Sequence, residues 1–222
     1  MRTKLADRIF PDYTKGEEVF NMISHIVGGA TGVAALVLCV IKSAIKGNAM
    51  GVVTSAIYGA TLILMYTMSS IYHGLPRNQG KKVLQVLDHC AIYFLIAGTY
   101  TVVSLVSLRP LYPALGWVIF GIEWGMTALA VTLTAIDLKS YSVFSMICYL
   151  VMGWCIIVVS PKVIHALTLP GFFWVLGGGI VFSIGAVLYG LGKKHRYMHN
   201  VFHVMILAGT ILQFFGILFY VV

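Results

Sequence analysis

Apolar positions run along this chain in seven long blocks, roughly 21–41, 50–73, 86–107, 112–134, 142–160, 171–191 and 199–221. A helix needs about 20 predominantly apolar residues to cross the hydrocarbon core of a bilayer, and each block is close to that length. The six prolines, at 11, 76, 110, 113, 161 and 170, fall between blocks or at their ends, where a missing backbone N–H does least harm. The connections are short, so no soluble domain is inserted, and no short-period repeat is evident. The pattern predicts an all-α integral membrane protein, a seven-transmembrane helical bundle forming a single domain over 1–222.

Composition supports the same class. The chain is 59% hydrophobic and 10% charged, against about 25% charged in a soluble domain. The formal net charge of +8 is read as topology and attraction to anionic lipid headgroups. Nucleic-acid binding is not expected, since it would need a basic face on a soluble domain. Eleven of the fifteen lysines and arginines (Arg2, Lys4, Arg8, Lys15, Arg77, Lys81, Lys82, Lys139, Lys193, Lys194, Arg196) fall on one side of the alternating spans, and four (Lys42, Lys46, Arg109, Lys162) on the other. Positive charge stays inside, so the N-terminus is expected to be cytoplasmic and the C-terminus extracytoplasmic. The first block is too long for a signal-peptide core and ends in lysines, so it is expected to remain a span.

Cys39, Cys90, Cys148 and Cys155 all lie in apolar stretches with no C-x-x-C spacing, and read as small buried hydrophobes. Cys90 is kept as a weak candidate for site chemistry because of its neighbours. Gly28 and Gly32 form a G-x-x-x-G, and Gly177 to Gly179 with Gly185 make the sixth block slim; such faces let helices approach closely. Trp117, Trp124, Trp154 and Trp174 read as packing or interface residues.

Some polar residues stand out against this background. The second block ends "MSSIYHGLPR", the third begins "VLDHCAIYF", and the seventh begins "HNVFHVMIL". In the predicted topology all three stretches come to the cytoplasmic leaflet, bringing Ser69, His73, Asp88, His199 and His203 to one depth. Ionisable groups inside a membrane are expensive and are usually paired or functional. His199 and His203 are one helical turn apart and can reach a single ion, and His73 supplies a third imidazole. Zinc suits such a set and iron remains open, since imidazoles serve both. Ser69, one turn before His73, is placed to hydrogen-bond a ligand or water, and Asp88 to hold a metal-bound water or act as its base. His195 is too far along the helix to share the ion and reads as a solvated interface residue. Asp88 and the adjacent His89 point about 100° apart, and Asp88 is taken as the one facing the site. Glu123 falls in the middle of the fourth block, at the wrong depth for the metal. It is either functional or protonated and hydrogen-bonded within the bundle.

These residues resemble the hemolysin III family, the bacterial branch of the progestin and adipoQ receptor superfamily. "GEEVFNMISHIVGGATG" resembles its opening block, "SSIYHGLP" its S-x-x-x-H motif, "LDHCAIYFLIAGTYT" its aspartate block, and "HNVFH" its terminal H-x-x-x-H. The resemblance covers nearly the whole chain. It implies zinc held by His73, His199 and His203 inside a seven-helix bundle with a cytoplasmic N-terminus, in a bacterial cell membrane. Two positions depart from the pattern: Val102 stands where proline usually follows "GTYT", and Gln213 where histidine often precedes phenylalanine. Asn21 and His25, one turn apart in the first block, either support the metal or its access path, or form a helix-end hydrogen-bond network with Glu17 or Glu18.

Three functions follow from these readings. A zinc-bound water beside Asp88 would hydrolyse a lipid amide or ester entering from the bilayer. The superfamily and the similarly arranged alkaline ceramidases imply sphingolipid amide hydrolysis, and a different lipid amide or ester is expected in bacteria. Alternatively zinc is structural, and the bundle senses membrane state or a lipid ligand in membrane homeostasis. The third, cytolysis, fits poorly with seven apolar spans that cannot travel through water.

Overall fold

The computed structural model describes residue 3 and residues 5–191 and 195–222. Arg2, Lys4, Lys193 and Lys194, counted above in the charge asymmetry, lie outside the described residues. The described residues are predominantly helical, without a strand.

Helix α1 (Lys15–Ile45) begins well before the first apolar block, because a capping box starts it. The Thr14 hydroxyl accepts from the Glu17 N–H at 3.2 Å, and the Glu17 carboxylate accepts from the Thr14 N–H at 2.8 Å. Asparagine side chains cap the next two helices. Asn48 accepts from Gly51 N–H ahead of α2 (Ala49–Gly74), and Asn78 from Lys81 N–H ahead of α3 (Gln79–Val102). From α3 the chain passes through a π-helical turn, Val103–Leu108, and a last turn, Arg109–Leu111, before α4 (Pro113–Ile136).

The fifth apolar block is where the structure departs most from a plain span. It forms α5 (Ser142–Gly153), a break at Trp154, the single turn α6 (Cys155–Val158), and a second break at Val159. A side chain from α3 makes the first break tolerable. The Tyr100 hydroxyl donates to Gly153 O at 2.9 Å and accepts from Ile156 N–H at 3.0 Å, satisfying backbone groups that the broken helix leaves without partners. Helix α7 (Ser160–Leu191) starts at the last residue of the fifth block, runs through the stretch expected to be a connection, and carries one non-helical residue, Thr168, at φ 67° and ψ 163°. Helical geometry resumes after it with Pro170 in the first turn, where proline is tolerated. Helix α8 (Met198–Tyr220) completes the order.

Among the described residues, six helices are long and apolar enough to cross a membrane: α1, α2, α3 with its extension, α4, α7 and α8; α5 is shorter. The protein is thus an all-α, multi-pass membrane protein. Its centre is α3, whose most apolar stretch is 72% buried, against 28% for α1, α4 and α7. Outward faces stay apolar, with Val33, Val37 and Ile41 on α1 and Val118, Ile122 and Leu129 on α4 exposed, as lipid contact requires.

Glycines set the two tightest helix pairs. Gly28 lies against the Tyr66 ring, and Gly32 against the Ile63 backbone, closing α1 on α2. On α7 only Gly178 of the three-glycine run makes such an approach, with Gly209 O and Gln213 of α8 facing it, while Gly177 and Gly179 face open space. Gly185 meets Met205 of α8. All four cysteines are free; the Cys90 thiol is turned to Val131 O on α4 and is not part of the histidine cluster discussed next.

Candidate metal centre

The start of α1, the end of α2, and the starts of α3 and α8 meet at one end of the bundle. Each brings a side chain that the apolar pattern alone would exclude. His73 is the penultimate residue of α2, held in its last turn. His199 and His203 sit on successive turns of α8, which begins at Met198 after Tyr197 in left-handed backbone (φ 65°). The Tyr197 N–H donates to the Glu17 carboxylate at 3.0 Å, which fixes where α8 enters relative to α1.

This brings three imidazoles together. His73 Nε2 lies 3.3 Å from His199 Nε2, and His199 Nε2 lies 3.0 Å from His203 Nε2. One ligand atom from each of the three lies within 4.8 Å of the others. His73 and His203 are 3% and 1% exposed. Tetrahedral zinc at about 2.0–2.1 Å from each nitrogen would separate its ligands by roughly 3.3 Å, so the donor set fits one metal ion. The chemistry fits as well: three imidazoles converging in a buried setting are a donor set that suits zinc.

His73 is oriented from behind. Its Nδ1 lies 2.6 Å from Glu18 Oε2, while Glu18 Oε1 accepts from Lys81 Nζ at 2.7 Å. Lys81 also donates to Leu75 O at 3.0 Å and lies over the Tyr72 ring. His203 is stacked on His25, with ring centroids 3.8 Å apart. Tyr13, in the segment before α1, stacks on His199 at 4.8 Å and lies nearly parallel to it.

Asp88 is not within the ligand group; it lines the cavity beside it. That cavity touches Ser69, His25, His199 and His203 near the cluster and reaches Tyr100, Trp154 and Gln213. Asp88 and Tyr100 are twelve residues apart on α3, about 18 Å of helix. The space open to the centre of a water molecule is about 130 Å³, and the walls are mostly apolar. His89 lines the same cavity, so Asp88 and its neighbour both face it. The Nδ1 of His89 lies 2.8 Å from Gln85 O, and the His89 carbonyl accepts from the Tyr149 hydroxyl.

Asn21 and His25 are buried, but the network with Glu17 or Glu18 does not form. Neither side chain has a hydrogen-bond partner, because both carboxylates are engaged elsewhere. His25 instead packs between the His203 and Tyr66 rings. His195 lies exposed outside the cluster, as its spacing predicts. Sequence reasoning missed Glu18 as the partner of His73, along with Lys81 and Tyr13. Glu18, Asn21 and His25 fall at i, i+3 and i+7, one face of α1, and that spacing pointed at the site.

The chain matches the model of the family described as Haemolysin-III related over residues 13–214. It is 36% identical over 205 residues to Hemolysin-3 of Bacillus cereus, covering 92% of each chain. It is 34% identical over 210 residues to the Hemolysin-3 homolog of Bacillus subtilis strain 168, covering 95% of this chain and 97% of the relative. With its apolar helices, its cluster of histidines and this likeness along nearly its full length, the chain belongs to the hemolysin III family of multi-pass bacterial membrane proteins.

Proposed function

We propose that the protein binds zinc through His73, His199 and His203 and hydrolyses an amide or ester bond of a membrane lipid, serving membrane homeostasis. The observation that carries this reading is the joining of the histidine cluster to a long apolar cavity with Asp88 on its wall. His73, His199 and His203 would hold the ion, and the chemistry it would supply is activation of a water and polarisation of a carbonyl. Asp88 is the base that would take the proton from the water, and Ser69, one turn from His73, would orient it. The apolar walls would hold an acyl chain while its carbonyl reaches the polar end.

We also read the fifth apolar block as a crossing, giving seven spans with a cytoplasmic N-terminus. Contacts at its two ends support this. Asp137 accepts from the Thr3 N–H near the N-terminal end of α1, while His165 meets Tyr112 at the opposite end of the bundle.

The experiment is metal analysis of the purified protein, followed by incubation with bacterial lipid extracts and mass spectrometry of the products. The expected result is about one zinc per chain and release of free fatty acid, absent from His203→Ala. A wild-type protein that takes up no metal when zinc is supplied would end the metal reading. A zinc-loaded protein that cleaves no lipid amide or ester would turn the assignment to a structural zinc in a sensor.

A further inference from the structure

The metal-binding reading leaves open what makes His73 a competent ligand. His73 comes from a different helix than the other two imidazoles and stands at the very end of α2, where a helix frays most easily. Its ring is nevertheless held on its far side by Glu18 at 2.6 Å, across 55 residues of sequence. Glu18 is in turn fixed by Lys81, which is 2% exposed and also bonds Leu75 O, the residue that caps α2. Three helices are therefore tied together behind one metal-facing nitrogen.

We propose that Glu18, clamped by Lys81, is the positioning residue of the metal centre and sets its affinity. The inference rests on the metal-binding reading above. A carboxylate at Nδ1 accepts that nitrogen's proton in a hydrogen bond. The tautomer is then decided, and the Nε2 lone pair is directed at His199 and His203. The carboxylate also answers a problem of charge. Three neutral imidazoles bring no compensation for a divalent ion at the edge of a membrane interior, and the Glu18 charge sits one ring away from it. Lys81 at 2.7 Å holds Glu18 from its other side, so the carboxylate is already in place behind His73. The other two ligands have no such support. The Nδ1 atoms of His199 and His203 are buried with no hydrogen-bond partner, so the charged partner of the cluster is Glu18 alone among the described residues.

The test compares wild type, Glu18→Gln, Glu18→Leu and His203→Ala as full chains in detergent. Zinc affinity is measured by competition with a chromophoric chelator, and the visible absorption of the cobalt(II)-loaded forms is recorded. Gln keeps the shape and an acceptor oxygen while removing the charge; Leu removes both. Affinity is expected to fall about tenfold in Glu18→Gln and by up to about a hundredfold in Glu18→Leu, the range found for partners of metal-bound histidines. The cobalt spectrum should shift in both variants. A purely structural role for Glu18 would lower the melting temperature of the metal-free protein and leave affinity and spectrum alone. Wild-type affinity and an unchanged spectrum in Glu18→Gln, which retains the fold contacts, would overturn the inference while the metal reading stands. Absence of binding in wild type, with His203→Ala indistinguishable from it, would overturn the metal reading and this inference with it.

Discussion

His73 and His199 face each other nitrogen to nitrogen at 3.3 Å, although 126 residues of chain separate them. Two neutral imidazoles gain little from such an approach on their own, since only one can donate at a time. A metal ion shared between them would make the arrangement favourable.

Removing any one of His73, His199 or His203 should therefore abolish stoichiometric metal binding, with alanine variants retaining less than about a tenth of the wild-type zinc. Because the ion would bind only the assembled bundle, chelation should also lower thermal stability. Free metal at a hundred times its Kd contributes about 2.7 kcal/mol. Metal analysis and melting curves with and without chelator read both effects.

Asp88→Asn separates a hydrolytic site from a closed one. The side chain lines the cavity but lies outside the ligand group, so zinc content is expected to stay near wild type. Lipid cleavage should fall by 100-fold or more, the usual contribution of a general base. Zinc loss in this variant would make Asp88 a fourth ligand and the site structural.

The cluster itself was legible in the sequence because helix periodicity and alternating topology both act at long range. Spacing put His199 and His203 on one face, and span counting brought His73 to the same depth. What the pattern could not convey is how irregular the fifth block is. Hydropathy sums over "SVFSMICYLVMGWCIIVVS" register a continuous apolar run, yet the helix breaks at Trp154. Periodicity along α5 does not reveal a remote hydroxyl, that of Tyr100 on α3, satisfying the broken backbone. Helix α1 similarly starts at Lys15 because a local cap outweighs the charges that exclude this stretch from an apolar block. Glu18 was seen as a member of a family block and as a possible partner of Asn21 or His25, but not of His73, since that pairing is set by tertiary packing and not by spacing.

Gly28→Ala should destabilise the bundle and disturb the site together. An added methyl group would run into the ring of Tyr66, which is 0% exposed and whose hydroxyl donates to Thr210 at 2.8 Å. Tyr66 also packs edge-on against His25, the ring stacked on His203. Overpacking of this kind costs about 1–3 kcal/mol, read as a lower melting temperature. Gly177→Ala, with open space around it, should be neutral.

Asp137 ties the N-terminal segment to the end of α4. Its carboxylate accepts from the N–H of Thr3 at 2.8 Å, Lys139 at 3.1 Å and Ser140 at 3.2 Å, and from the Ser140 hydroxyl at 2.9 Å. The Thr3 bond foremost, and then those from Ser140 and Lys139, holds its pKa well below the ordinary carboxylate value. A depressed folded-state value means the stabilising effect is complete above the unfolded pKa of about 4 and is lost as pH falls below it. Hydrogen exchange of the 137–141 turn should thus be slow and constant in its protection from pH 5 upwards, and protection should fall only in more acidic solution. Asp137→Asn should show the weakened protection at every pH.

Glu123 tests whether every buried ionisable group in this bundle serves chemistry. It is 0% exposed, neither carboxyl oxygen has a partner in hydrogen-bonding geometry, and the Cys155 thiol stands alongside. A group in that setting has given up hydration with little in return, so replacing it by an apolar side chain of similar volume is expected to be neutral or stabilising. Glu123→Leu should melt at or above the wild-type temperature with full metal content, because the residue lies outside both the histidine cluster and the cavity lining. Glu123→Lys, which places an ammonium group in the same apolar surroundings, should be strongly destabilised. If Glu123→Leu instead kept its melting temperature and its zinc but lost activity, the carboxyl would be retained for function, at a site separate from the metal centre.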